Sequence, residues 1–148
     1  MNHSNKNLND LVSIARDGKD FYEHAAAKVD DPALKTVFTR MASVKNDIVQ
    51  SLSGEIRAEG DKPTTAGTLV GEIGKIYGDL RALVGNKDYA YVAQLEESED
   101  RLLKAFTDAI ADKETSAPAR AVLDRLAPII RECHNSMRDR KLALKNAA

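Results

Sequence analysis

The sequence predicts an all-α fold, a single antiparallel helical bundle. Three observations carry that prediction. Apolar residues recur with a period near 3.6 along almost the whole chain, and strand-like alternation is hard to find. Helix-breaking residues fall between the periodic segments, at Pro32, Gly60, Pro63, Gly85 and Pro118. The 148 residues suffice for one domain with a continuous core, and with 5% aromatic residues and no Trp that core is aliphatic.

Five helical segments follow in order. The first, about Asn7 to Val29, carries Leu8, Leu11, Val12, Ala15, Gly18/Lys19, Tyr22 and Ala25 on one stripe, and residues 1–6 ahead of it are expected to be disordered. Asp31 caps the second segment, and Pro32 occupies its first helical position. That helix reaches about Ala58 with Leu34, Phe38, Met41, Lys45, Ile48, Leu52 and Ile56 inward, and Gly60 stops it. The third, about Ala66 to Val84, carries Leu69, Ile73, Ile76 and Leu80. The fourth, about Lys87 to Ala111, carries Val92, Leu95, Glu99, Leu102 and Phe106. The fifth starts after the cap at Thr115-Ser116, and Pro128 within it predicts a kink or a break.

The first two helices are joined by two or three residues and are therefore antiparallel neighbours. The third segment spans roughly 28 Å at 1.5 Å per residue, nearly the length of the bundle. It is thus expected to be a long helical crossover between the second and third bundle helices, which would then run parallel. Gly67, Gly71, Gly74 and Gly78 share one face of this crossover. Each costs a helix about 1 kcal/mol relative to alanine, so close approach of another backbone is the expected return, from the same bundle or from a second copy of the chain.

A formal net charge of −1 gives no large field to attract nucleic acid or an acidic membrane face. No apolar run approaches the roughly 20 residues that span a bilayer. The single cysteine, Cys133, and an N-terminus without an apolar leader fit a cytoplasmic location. Zinc spacings, phosphate loops and nucleophile elbows are not found.

Polar residues on the apolar stripes are the candidates for chemistry. Lys19, Lys45, Glu99 and His134 lie near the middle of four different helices, with Arg131 three residues before His134. Burial of a lone carboxylate is costly unless it is paired, so Glu99 is expected to pair with Lys19 or Lys45, with Arg131 as a further cation. Asp20 and His24 share a face flanked by Ser13, Asp17 and Ala27, which reads as solvent-exposed. Cys133 and His134 point about 100° apart, so Cys133 is expected to be a core thiol rather than an activated nucleophile. Tyr22 and Tyr77 read as aromatics at the core edge.

The runs Asp17-Gly18-Lys19-Asp20-Phe21-Tyr22-Glu23-His24, Asp31-Pro32-Ala33-Leu34-Lys35, Gly67 to Leu83, and Glu96-Glu97-Ser98-Glu99-Asp100-Arg101-Leu102 resemble a bacterial ferritin-like family of four-helix-bundle proteins without a settled function. The resemblance covers most of residues 7 to 140. It implies a ferritin-like antiparallel four-helix bundle, and the wider superfamily implies a di-iron site with oxidase or peroxidase chemistry and iron storage. This chain departs from that pattern at the ligands. Lys19 stands near the first-helix carboxylate. Lys45-Asn46-Asp47-Ile48 and Arg131-Glu132-Cys133-His134 stand where Glu-x-x-His pairs would. Glu99 and His134 alone match in type.

The expectation is therefore a non-catalytic bundle, a structural, interaction or stress-associated module, with no cofactor and with a homo-oligomer left open. Two alternatives remain open. One is a divergent metal or redox protein holding one iron, manganese or zinc ion through Glu99 and His134, helped by Glu23 or Glu96. The other is a carrier of a small hydrophobic ligand in a cavity beside Gly71 and Gly74.

Overall fold

The computed structural model describes residues 2–68 and 87–147. Four helices account for most of them: α1 (His3–Lys28), α2 (Pro32–Ala58), α3 (Lys87–Ala111) and α4 (Ala117–Ala147). Among the described residues there is no strand, and no helix is long and apolar enough to cross a membrane.

The helix ends follow from local chemistry. Asp31 Oδ1 accepts from the Ala33 amide at 2.8 Å with Pro32 opening α2. Gly60 ends α2 in the left-handed region (φ +83°), where its N–H reaches the Arg57 carbonyl and that of Asp61 the Ile56 carbonyl. At the start of α4, Ser116 Oγ accepts from the Ala119 amide at 3.2 Å. Arg120 collects the carbonyls of Ile110, Asp112 and Thr115, so one guanidinium serves the orphan acceptors where α3 ends.

Three expectations are corrected. Residues 3–6 are helical, not disordered, because Asn2 Oδ1 caps the Asn5 amide at 2.8 Å and Ser4 and Asn5 are buried against Ser116 and Asp61. Of the kink or break expected at Pro128, the break is absent, since α4 is continuous through it. Pro128 and Asp124 both lie on the exposed side, where a carbonyl deprived of its donor can be hydrated. Ala66, Gly67 and Thr68, the expected first residues of the crossover helix, are not helical. The rest of that segment, with Gly71, Gly74, Tyr77 and Gly78, lies outside the described residues.

Contacts at the helix ends fix the directions. The start of α1 meets the residue after α2 through Asn5–Asp61 and the end of α3 through His3–Asp112, while the end of α1 meets the start of α3 through Asp30–Lys87. So α1 is antiparallel to both α2 and α3, and these two run the same way. Around the bundle the order is α1, α2, α4, α3.

Residues 61–68 form a strap that climbs α1 from this shared end. Asn9 donates to the Lys62 carbonyl and accepts from the Thr64 amide, and Arg16 donates to the Thr64 carbonyl. Gly67 and Thr68 then settle on Asp17. A parallel pair of helices demands such a long connection, and its first eight residues lie on α1.

The core falls into two apolar compartments. One joins Leu8, Leu11, Leu52, Ile56, Phe106 and Leu123; the other joins Phe21, Phe38, Met41, Tyr91, Leu95 and Met137. Lys45 and Glu99 sit between them along their helices. Gly18 faces this layer, and a Cβ there would touch Lys45 Cδ and Cε and Ser98 Oγ at 3.6 Å, an ordinary contact. Gly18→Ala should therefore stabilise the protein by about 0.5–1 kcal/mol in urea unfolding, since a glycine inside a helix is removed without a clash.

The shared end also carries a titratable clamp. His3 Nε2 lies 2.7 Å from Asp112 Oδ2 and Nδ1 lies 3.2 Å from Glu114 Oε2, and Asn7 donates to Asp112. The hydrogen bond to Asp112 raises the His3 pKa, although partial desolvation and Lys6 oppose it. The same bond, with the Glu114 amide and Asn7, lowers Asp112 to about 2. The raised histidine contributes below its unfolded pKa and loses that contribution as pH rises through the folded value. The depressed carboxylate contributes above its unfolded pKa and loses it as pH falls through about 2. The clamp should be complete between about pH 4 and pH 6.5. Amide exchange at residues 3–7, corrected for intrinsic pH dependence, should accelerate above that window, and His3→Ala should abolish the acceleration.

Candidate functional site at the polar layer

The α1 stripe places Tyr22, the α2 stripe Lys45 and the α3 stripe Glu99 at one level. Lys45 Nζ lies 2.7 Å from Glu99 Oε1, with the two side chains 1% and 0% exposed. Tyr22 OH donates to the same oxygen at 2.7 Å. The ammonium also lies 5.6 Å from the centre of the Tyr22 ring, on its face, which favours a desolvated cation. Glu99 Oε2 is buried and has no hydrogen-bond partner among the described residues. Cys133 completes this surrounding from α4. Burial pushes its thiol pKa up, while the nearby Lys45 ammonium acts in the opposite sense. The thiol is thus held in its protonated, unreactive form.

The other expected residues lie elsewhere. Glu99 pairs with Lys45 and not with Lys19, which is about one-third exposed and lies 3.6 Å from Glu23. The buried stripe of α1 advances through Gly18, and one residue further turns Lys19 by about 100° away from it. Arg131 is exposed for the same reason, because the α4 stripe runs Leu126, Ile130, Cys133, Met137. Tyr22 is fully buried rather than at the core edge. Glu99 and His134 do not converge: His134 turns to Asp100, and Glu96 lies on that same side of α3.

A second buried carboxylate escaped the sequence reading. Asp17 was expected on the solvent side, yet it is 1% exposed. Thr68 Oγ1 donates to its Oδ2, and Arg101 Nη1 reaches the same oxygen at 3.1 Å while Nη2 donates to Thr68 at 2.9 Å. A Cβ on Gly67 would collide with Asp17 Oδ1, so at this position the glycine permits the strap to close over α1. The periodicity of α1 gives no sign of this, because the cover comes from a segment fifty residues away. Gly67 and the lone Arg101 were the available signals.

These features define an all-α bundle whose central layer is an internal ion pair. The chain belongs to a family described as a domain of unknown function (DUF2383), whose model matches residues 4–112. No curated protein and no solved structure matches the chain significantly. The family match takes in α1, the strap, α2 and α3, and so contains Tyr22, Lys45 and Glu99.

A buried ion pair is expensive to break from one side. Lys45→Met or Glu99→Leu alone should destabilise the bundle by about 3–5 kcal/mol, since each leaves an uncompensated buried charge. The double variant should recover most of that loss, because a well-packed apolar pair of similar volume often does as well as the ions. Urea unfolding of the four proteins gives the coupling; additive losses would show that the two side chains act independently.

Proposed function

We propose that this protein is a non-catalytic ferritin-like helical bundle, a structural or interaction module in which an internal ion pair stands at the level where a ferritin-like bundle holds its metal. The observation that carries the reading is the 2.7 Å contact between Lys45 Nζ and Glu99 Oε1 in the centre of the core. A dinuclear site needs several convergent carboxylates and imidazoles around two dications. At this level the described residues supply one carboxylate paired with an ammonium, a phenol donating to it and a thiol whose pKa burial raises, which do not fit such a centre.

The interaction role rests on the side of the bundle between α2 and α4. Two adjoining grooves of about 260 and 320 Å³ meet there at Val44 and Ile129, and Ile129 is 42% exposed. Their borders mix Arg40, Arg125 and Arg140 with Asp47 and Glu132. A face with both signs of charge around an apolar seam is self-complementary, so the partner assigned to it is a second copy of the chain. The carrier reading depended on a cavity beside Gly71 and Gly74, which lie outside the described residues.

Iron loading tests the central claim. Tag-free protein exposed to ferrous iron without oxygen and then desalted should hold no iron that depends on Glu99, and should consume no oxygen beyond the buffer rate. About two irons per chain, lost in Glu99→Gln, would overturn the reading. Sedimentation tests the partner: a dimer should form at micromolar concentrations and dissociate in Ile129→Glu. A wild-type chain that stays monomeric at about 100 μM, a loose bound for a functional homodimer, would remove self-association.

A further inference from the structure

The bundle holds a second set of metal-ligand side chains, on the surface between α3 and α4. Glu96 and Asp100 lie one helical turn apart on α3, and His134 faces them from α4. One donor atom from each lies within 4.8 Å of the other two. His134 Nε2 already touches Asp100 Oδ1. We propose that Glu96, Asp100 and His134 form a mononuclear site for a divalent first-row transition-metal ion of the zinc class.

The donor set has the right chemistry. Two carboxylates balance a dication, and an imidazole selects transition metals over magnesium and calcium. Donors that share one zinc ion at about 2.0–2.2 Å stand roughly 3.4 Å apart. Small side-chain rotations on two packed helices bring the three atoms to that spacing. The outer ring nitrogen has a partner as well, since His134 Nδ1 lies 3.3 Å from Asn135 Oδ1. A proton on Nδ1 shared with Asn135 leaves the Nε2 lone pair directed at the carboxylates, the arrangement metal-bound histidines use.

Exposure and charge at the site are also suitable. His134 and Glu96 are 16% and 13% exposed and fixed by the helix interface, while Asp100 at 54% leaves a way in for the ion and room for a water ligand. One cation competes there. Lys141 Nζ lies 3.8 Å from Glu96 Oε2, on a side chain one-third exposed that can swing aside. The other His–carboxylate cluster, at the shared end of the bundle, does not qualify. Its Asp112 already accepts from Asn7 and the Glu114 amide, and its His3 and Glu114 are 48% and 69% exposed rather than held between packed helices.

The site shares no residue with the Lys45–Glu99 layer, and its test separates the two. Tag-free protein is titrated with cobalt(II), read by its visible spectrum, and with zinc(II) against a chromogenic chelator. One ion should bind per chain. His134→Ala and Asp100→Asn should each weaken zinc at least tenfold, in line with loss of a ligand. Lys141→Ala should strengthen it, and His3→Ala and Glu99→Gln should leave it unchanged. Asp100 is half exposed, so its variant should keep the wild-type helical circular dichroism. Zinc affinity untouched by both His134→Ala and Asp100→Asn, or no binding at all, would overturn the proposal and leave the ion-pair reading standing. Loss of the ion in Glu99→Gln alone would overturn both.

Discussion

Two full charges lie in the hydrocarbon centre of this bundle, and the rest of the architecture is arranged around that fact. An isolated carboxylate or ammonium at this depth would cost several kcal/mol even after relaxation, so neither Lys45 nor Glu99 is tolerable without the other. Their contact ties α2 to α3, and the Tyr22 hydroxyl ties α1 to the same oxygen. Aliphatic cores tolerate sliding, because one Leu–Ile contact resembles the next. A one-turn slip of α2 or α3 would strand a charge, and a slip of α1 would take the phenol donor from Glu99. The ion pair thus fixes axial register, the best-supported use of a buried polar contact.

The same layer governs what the site can do. Among the described residues the ammonium faces the carboxylate, the phenol donates to the same oxygen, and burial raises the pKa of the thiol, while Glu99 Oε2 has no hydrogen-bond partner. Chemistry accessible to ions belongs to the periphery, where Glu96, Asp100 and His134 keep one side open. Core and surface have divided the polar residues of α3, with residue 99 turned inward and residues 96 and 100 toward α4.

Much of this was legible from the residues. The 3.6 periodicity located α2 and α3 to within a residue or two, because Asp31-Pro32 and Gly60 are unambiguous stops and starts. It also singled out Lys45 and Glu99, since a charge on an apolar stripe must find its opposite. Lys19 and Arg131 misled because the stripes drift between adjacent positions, and a shift of one residue carries a side chain from core to solvent. The N-terminal turn and Asp17 were invisible for a different reason. Both are held by partners distant in sequence, Asp61 and Ser116 for the one and Thr68 and Arg101 for the other, and no local pattern encodes such pairings.

At the end where α1 and α4 begin, described contacts join His3 to Asp112, Asn5 to Asp61, Ser4 to Ser116, and Arg120 to three carbonyls. At the opposite end Lys87 pairs with Asp30, and Lys35 donates to the Ala26 carbonyl. The charged layer lies between the two apolar compartments. The single cysteine of the chain is buried in the Phe38 and Tyr91 compartment, so this protein carries its own thiol reporter of any opening that reaches that half of the core.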